Sequence, residues 1–374
     1  MVYNFSTVSG RIKLYNDVRE LMGMHHQHQK VHACFEKKKN DFDRSVRILK
    51  RIGKESVNGE AFLLCKLRCD HGKACTCVKD DPVISLKKTP INKHAAKYAN
   101  DQLSKDALSK SDSWVEAAVM RMCRELVFNR VCPNLPVMIY ISECDKCKFR
   151  NTELANDQGN PCVNMISEYA DMGDFKTWMS TKRPTKYWWN AYFQIFVGLY
   201  ALQSKFNVTH NDLHYKNVLV HKVPRGGFWR YIINGDVYDV PNYGFLFVLW
   251  DFGYARTPGN KDLISNDKWK THFEESDKTK DPFVADYWKI SSMAMIAKQD
   301  HPKVKISKDI TYEFLETIGE AANKHKKIDL LIKELWSDMY KTSPWNSILE
   351  TYNLDKKITL NDPELQRFLV NESR

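Results

Sequence analysis

The spacing of apolar and polar residues divides the 374-residue chain into a strand-rich first half and a helical second half. Arg44 to Ile52 (RSVRILKRI) alternates apolar with basic positions, the period-two pattern of a half-buried strand. Ala61 to Leu67 (AFLLCKL) is a second apolar run of strand length, and Gly53 to Gly59 separates the two as a turn with a glycine at each end. A third strand is expected at Val83–Lys87, followed by a polar linker from Ile91 to Ser113. Trp114 to Arg130 carries Val115, Val119, Met122 and Leu126 at helical spacing and stops before Pro133. The runs PVMIYI, from Pro136, and CVNMISEY, from Cys162, follow as strands joined by a long polar loop. Beyond Asp174 the pattern is mainly helical, apart from β-like segments between Val218 and Trp250. The longest uncharged stretch, Tyr187 to Ser204, is broken by Asn190, Gln194, Gln203 and Ser204, which fits a helix buried in a large soluble domain better than a membrane span.

Composition narrows the class. Hydrophobic residues make up 43% and charged residues 28%, which excludes a disordered, collagen-like or coiled-coil chain. The length suits two or three lobes, and no internal repeat is present. With 57 Lys and Arg against 46 Asp and Glu, the net charge of +11 calls for an acidic partner: nucleotide phosphates, nucleic acid, an anionic membrane or an acidic protein. The start, MVYNFSTVSGRIK, lacks the apolar core of a secretory signal, so the ten cysteines are expected to be reduced and to serve packing, metal binding or reactivity. The polar stretch from Met1 to Asp43, with His25, His26, His28, His32 and Cys34, reads as a solvated extension or helix, with a metal-binding tract as the alternative.

The candidate chemistry lies in two loops. His210-Asn211-Asp212-Leu213-His214-Tyr215-Lys216-Asn217 runs directly into the apolar Val218-Leu219-Val220, and Asp251-Phe252-Gly253 follows the apolar run FLFVLW. Each sets a polar loop beside a strand, which fixes the backbone while the loop exposes the side chain. Asp212 can accept a proton, and Asn217 and Asp251 offer oxygen ligands of the kind Mg²⁺ takes together with substrate phosphates. Either motif alone arises by chance; the two in this order are a stronger signal.

With these residues the chain resembles the protein-kinase superfamily, whose catalytic and metal loops read H-R-D-L-x-x-x-N and D-F-G, over about residues 46 to 340. The resemblance implies an α+β, bilobal, protein-kinase-like fold: an N-lobe antiparallel sheet with one helix at 45–167, a hinge at 168–174 and a mainly helical C-lobe at 175–340. Residues 1–44 would be an N-terminal extension and 341–374 a helical tail. It further implies transfer of the γ-phosphoryl of ATP to protein serine or threonine hydroxyls, with Asp212 accepting the proton and Asn217 and Asp251 holding Mg²⁺. Gly53 and Gly59 would flank the phosphate loop, with Glu55 in place of its middle glycine. Lys87, with the small Ser85 two before it on the same strand face, would bind the phosphates, and Lys88 would face the other way. Its partner would be Glu116, which shares a helix face with Val119, Met120, Cys123 and Val127; Glu125 lies nearly opposite, near Arg121, as on a solvated face. Backbone groups of Glu168 and Ala170 would bond the adenine, Asp174 the ribose, and Ser167 would be the gatekeeper. Asp286 would brace the catalytic loop through its backbone amides.

Three departures refine this. Asn211 replaces the arginine that receives a phosphorylated activation loop, and no A-P-E lies between Gly253 and Asp286, although Thr257, Ser265, Thr271 and Thr279 offer generic hydroxyls. Activity without activation-loop phosphorylation is therefore expected. His214 stands where a lysine is usual, so that H-x-D-x-H-x-x-N resembles the loop of haspin-like kinases and also that of choline and aminoglycoside phosphotransferases. A small-molecule substrate, or a pseudokinase scaffold, stays open as an alternative. The stretch from Phe228 to Asp251 looks like an inserted hairpin; with HNDLHYKNVLV and the run Val131 to Pro136 it resembles serine/threonine kinases of large cytoplasmic DNA viruses. That resemblance implies a protein substrate and a place in the host cytoplasm, viral factory or virion. Finally, Cys75-x-Cys77 and Cys144-x-x-Cys147 lie in connections that a kinase N-lobe is expected to bring to one end of its sheet. They form either a structural zinc site, with Cys65, Cys69 and His71 as spare ligands, or reduced loop thiols without metal.

Overall fold

A computed structural model describes residues 3–22, 46–53, 59–68, 76–77, 84–91, 111–144, 146–150, 152–258, 282–301, 312–325, 327–360 and 365–366. Cys34 and its neighbouring histidines, Glu55, Cys69, His71, Cys75, Ser265, Thr271 and Thr279 lie outside these residues.

The alternating and apolar runs of the first half become one antiparallel sheet. Its strands are β1 (Val46–Ile52), β2 (Glu60–Arg68), β3 (Thr76–Cys77), β4 (Ile84–Pro90), β5 (Met138–Cys144) and β6 (Cys162–Glu168). The spatial order is β1-β2-β4-β6-β5, with the short β3 paired to β2. Helix α1 (Val8–Leu21) packs on β5 and on α2 (Asp112–Phe128), which also lies against β5 and β6. Thr7 caps α1 by accepting a hydrogen bond from the Gly10 amide at 3.2 Å, which satisfies one orphan donor of the first turn. The N-terminal segment is therefore not only a solvated extension: Val8, Arg11, Leu14, Tyr15 and Val18 are buried.

Beyond α3 (Phe175–Met179), the uncharged stretch becomes α4 (Thr185–Phe206), buried along much of its length. Gly198 lets α4 approach the 131–136 run, since a Cβ there would stand 2.8 Å from the Asn134 carbonyl oxygen. Asn134 itself is fully buried: its amide nitrogen donates to Gln194 Oε1 and to the Phe247 carbonyl, both at 2.9 Å, and its side-chain oxygen accepts from Tyr231 Oη at 2.9 Å. A buried polar group survives only when paired in this way.

Strands β7 (Val218–Lys222) and β10 (Phe245–Leu249) form an antiparallel pair that sets the two candidate loops side by side. Between them, β8 (Phe228–Ile233) and β9 (Asp236–Pro241) make the expected hairpin, turning on Asn234 and Gly235, whose φ values of 49° and 79° are those a two-residue type I′ turn requires. The C-terminal stretch expected to be a helical tail instead supplies β11 (Ile348–Asn353), which pairs parallel with β8. Helices α5 (Pro282–Asp300), α6 (Tyr312–Lys324) and α7 (Ile328–Trp336) follow, and a 3-10 turn, Thr152–Asp157, lies between β5 and β6. Among the described residues no helix is long and apolar enough to cross a membrane.

Candidate active site

Strand β4 presents Lys87 toward α2 and toward the end of β10. Its ammonium lies 2.6 and 2.8 Å from the two carboxylate oxygens of Glu116 and 2.8 Å from Asp251 Oδ1. Burial opposes the charge on Lys87, but the flanking Asp251 and Glu116 outweigh it and raise its pKa, so the side chain stays an ammonium ion. Burial likewise opposes the charge on Asp251, yet Lys87 holds its carboxyl below the usual aspartate range; on Glu116, burial pushes the pKa upward despite Lys87. Asp251 adopts a left-handed backbone, φ 64°, which turns its side chain at the strand end. Lys88, the neighbour facing the other way, is buried and donates to the Lys148 carbonyl at 3.2 Å.

The loop from His210 to Asn217 is fixed from below. Asp286, fully buried on α5, accepts the amides of His210 at 2.7 Å and Asn211 at 2.9 Å, and Lys289 from the next turn donates to the Asn211 carbonyl. Burial pushes the Asp286 carboxyl up to about 6 against those hydrogen bonds. His210 binds the Trp250 carbonyl at 2.8 Å and its ring lies tilted against that of Phe252, centroids 4.9 Å apart; burial holds its pKa down to about 4, so the ring is neutral. Asn217 donates to the Asp212 carbonyl at 2.8 Å and to Asp212 Oδ2 at 3.1 Å, while its own carbonyl accepts the Trp250 amide at 2.8 Å. These bonds tie the loop of Asp212 to the strand leading into Asp251. His214 Nε2 lies 3.8 Å from Asp212 Oδ2; burial lowers the histidine's pKa and raises that of Asp212. Asn211, also left-handed at φ 64°, spends its side-chain amide on the Tyr254 carbonyl at 2.8 Å.

At the end of β6, Ser167 is buried and its hydroxyl lies 3.1 Å from that of Ser85. The amide of Glu168 donates to the Val137 carbonyl at 3.2 Å, its carbonyl accepts Ser85 Oγ at 3.3 Å, and the Ala170 carbonyl accepts the Gly173 amide at 3.1 Å. Asp174 caps α3, accepting the Thr177 amide at 2.8 Å and the Thr177 hydroxyl at 2.6 Å. Gly53 has φ 75°; Gly59 has φ 142°, and a Cβ there would stand 2.5 Å from the Lys88 carbonyl oxygen. Close packing on β4 is thus reason enough for glycine at position 59.

The structure therefore brings Lys87, Glu116, Asp251, Asn217, Asp212 and His214 into one neighbourhood through two loops, a strand and a helix. It differs from the sequence reading at Glu125, which is buried rather than solvated and is paired with Arg124 at 3.0 Å. It differs again at the cysteines. Cys77 pairs with Cys65 across β2 and β3, beyond the Ile84 and Glu168 end of the sheet, whereas Cys144 faces Cys162 beside Pro90 at the opposite end. The six steps from Cys162 to Glu168 span about 20 Å, so Cys77 does not join Cys144 and Cys147. Sequence reasoning also missed Arg11, His221 and Lys289 as supports of the site; each acts on a residue far away in the chain, which no local pattern signals.

No family model matches the chain. It is 32% identical over 143 residues to "Putative serine/threonine-protein kinase 019R" of Frog virus 3, a match covering 38% of this chain and 16% of the viral protein. It is 29% identical over 148 residues to "Probable serine/threonine-protein kinase 380R" of Invertebrate iridescent virus 6, covering 38% and 27%. A kinase so named in Acanthamoeba polyphaga mimivirus, "Putative serine/threonine-protein kinase R400", shares 23% over 202 residues, 46% of this chain and 42% of that protein. The chain thus spans less than half the length of these relatives. With a lysine, two carboxylates and the 210–217 loop held as described, this chain resembles the divergent serine/threonine kinases of DNA viruses.

Proposed function

We propose that the chain is a serine/threonine protein kinase with a bilobal fold, its first lobe at 45–167, its hinge at 168–174 and its second lobe at 175–340. The observation that carries this reading is the Lys87 ammonium clasped between Glu116 and Asp251, while Asn217 ties Asp212 to the adjoining strand. In the proposed reaction the γ-phosphoryl passes from ATP to a protein hydroxyl oxygen, the hydroxyl proton passes to Asp212, and ADP leaves. Lys87 neutralises phosphate charge and Glu116 keeps it aimed; catalysis is then mostly positioning and charge compensation. Backbone groups of Glu168 and Ala170 take the adenine, Asp174 reaches the ribose, and Gly53 and Gly59 bound the loop over the phosphates.

The donor set fits magnesium: the Asp251 carboxylate and the Asn217 side-chain carbonyl are hard oxygen ligands, and the Asn217 nitrogen is already committed to Asp212. When bound, the ion would neutralise charge on the phosphates. His214, its pKa lowered by burial, is mostly neutral at pH 7 and does not supply the fixed charge of a lysine. Asn211 has its amide on the Tyr254 carbonyl and carries no charge for a phosphorylated loop, which supports activity without activation-loop phosphorylation.

The test is phosphate transfer from radiolabelled ATP by wild type and Asp212→Asn, offered protein substrates and hydroxylated metabolites in parallel. Labelled serine or threonine that disappears with Asp212→Asn, and survives prior phosphatase treatment of the enzyme, supports the reading. Transfer only to metabolites would make the chain a small-molecule phosphotransferase. Nucleotide binding without transfer to either would make it a pseudokinase scaffold.

A further inference from the structure

Three buried cysteine sulfurs meet at the end of the sheet away from Glu168. Cys144 and Cys162 are directly opposed across β5 and β6, and Cys147 reaches them by the intervening turn. That turn is held in place: the Cys147 amide donates to the Asn160 carbonyl and the Gly159 amide to the Cys147 carbonyl, both at 2.9 Å. The three sulfurs all lie within 4.8 Å of one another, enclosed with Phe149 and Leu154 in a small apolar cluster of their own. Cys147 and Cys162 lie at bonding distance as a disulfide.

We propose that in the reduced protein Cys144, Cys147 and Cys162 together bind one zinc ion. Three buried cysteine sulfurs converging within 4.8 Å of one another is the arrangement of a metal–thiolate centre. Zinc–sulfur bonds of about 2.3 Å in a tetrahedron put the sulfurs about 3.8 Å apart, a spacing this cluster reaches with small side-chain movements. Two ligands from a C-x-x-C turn and a third from a neighbouring strand is a common zinc arrangement. Burial among apolar side chains disfavours thiolates without a cation, so the ion and the ionised sulfurs support each other. Binding converts three thiols to three thiolates and releases three protons to the solvent, with no change of oxidation state. Each disulfide that holds one of these cysteines must first take two electrons and two protons from an external dithiol. Among the described residues no fourth protein donor joins the three.

The centre would stiffen the part of the sheet beside Lys87. The loop after Cys147 is tied to β4 by Lys88, donating to the Lys148 carbonyl at 3.2 Å, and to β2 by the Arg150 amide, donating to Glu60 Oε1 at 2.6 Å. The inference does not depend on the proposed phosphotransfer.

The experiment is elemental analysis of the full chain purified under reducing conditions without chelator. Expected is bound zinc that falls by about one ion per chain in both Cys147→Ser and Cys162→Ser, and is unchanged in Cys132→Ser, a buried thiol elsewhere. Because a ligand variant can fail to fold, wild type is also exchanged with Co²⁺. Near-ultraviolet thiolate-to-cobalt bands and a tetrahedral visible spectrum are expected. Zinc content unmoved by Cys162→Ser would overturn the proposal, as would wild type that yields no cobalt–thiolate bands. A Cys147–Cys162 disulfide mapped by mass spectrometry in metal-free protein after full exposure to reductant would overturn it as well.

Discussion

Arg11 on α1 and Glu168 at the end of β6 form a buried, two-pronged ion pair across 157 residues of sequence. Arg11 Nε lies 2.9 Å from Glu168 Oε2 and its Nη2 contacts Oε1. The guanidinium also donates to the carbonyls of Pro133, at 2.6 Å, and Leu135. Glu168 further accepts the Val137 amide at 3.2 Å and faces His221 Nε2 at 3.5 Å. Every arm of the pair is thus bonded, the condition under which a buried ion pair holds a single geometry. The N-terminal helix is in this way fastened to the first residue of the proposed hinge.

Removing one partner strands the other in the interior. Arg11→Met is expected to lower the stability of the chain by about 3–5 kcal/mol, read as a shift of the urea unfolding midpoint. Arg11→Met combined with Glu168→Met should recover part of that loss, because no buried charge remains. A double variant as unstable as the sum of the singles would show that the two residues act independently.

The same pair sets an acid limit. Burial works against ionised Glu168, but Arg11 and His221 outweigh it and hold the carboxyl at about 2, against an ordinary 4.5. The unfolded chain therefore binds more protons between these values. The stabilisation, about 3 kcal/mol, is present above pH 4.5 and lost as pH falls from 4.5 toward 2. Unfolding free energy followed from pH 6 to 2 should fall more steeply for wild type than for Glu168→Gln, and the two curves should converge at the acid end.

How much of this was legible in sequence depended on the range over which the information lies. The strands of the first sheet and α2 show as local periodicity, and Asp212, Asn217 and Asp251 show as motifs. Arg11 is a charged residue in a polar stretch, and only its distant partner explains why it is buried. The strand at Ile348–Asn353 pairs with β8, more than a hundred residues upstream, so its role was equally hidden and a helical tail was the natural expectation. Cys162 reads as an ordinary strand residue until the register sets it opposite Cys144. Glu116 and Glu125 are both buried on α2, so burial does not separate them; the reach of Lys87 does.

Ser167 gives a prediction for ligands. Its hydroxyl and that of Ser85 lie 3.1 Å apart in a buried position at the end of β6, where a larger apolar residue would fill the space behind the proposed adenine site. ATP-competitive inhibitors with bulky groups at that position should bind wild type at least about tenfold more tightly than Ser167→Phe, while ATP still binds the variant. Equal inhibition of both forms, measured by competition against ATP, would remove Ser167 from the gatekeeper role.

The two glutamates of α2 can be told apart by kinetics. Glu116 meets the Lys87 ammonium through both oxygens, whereas Glu125 is paired with the adjacent Arg124 and, among the described residues, has no bond to the proposed nucleotide site. Losing a charge-assisted bond costs about 1.5–3 kcal/mol. If that bond aims Lys87 in the transition state, Glu116→Gln should lower kcat/KM for ATP by about 10- to 100-fold. Glu125→Gln breaks a buried pair instead, so it should shift the urea midpoint and leave kcat/KM nearly unchanged. Phosphotransfer that responds to Glu125→Gln and not to Glu116→Gln would reassign the lysine's partner, and with it the orientation of α2 during turnover.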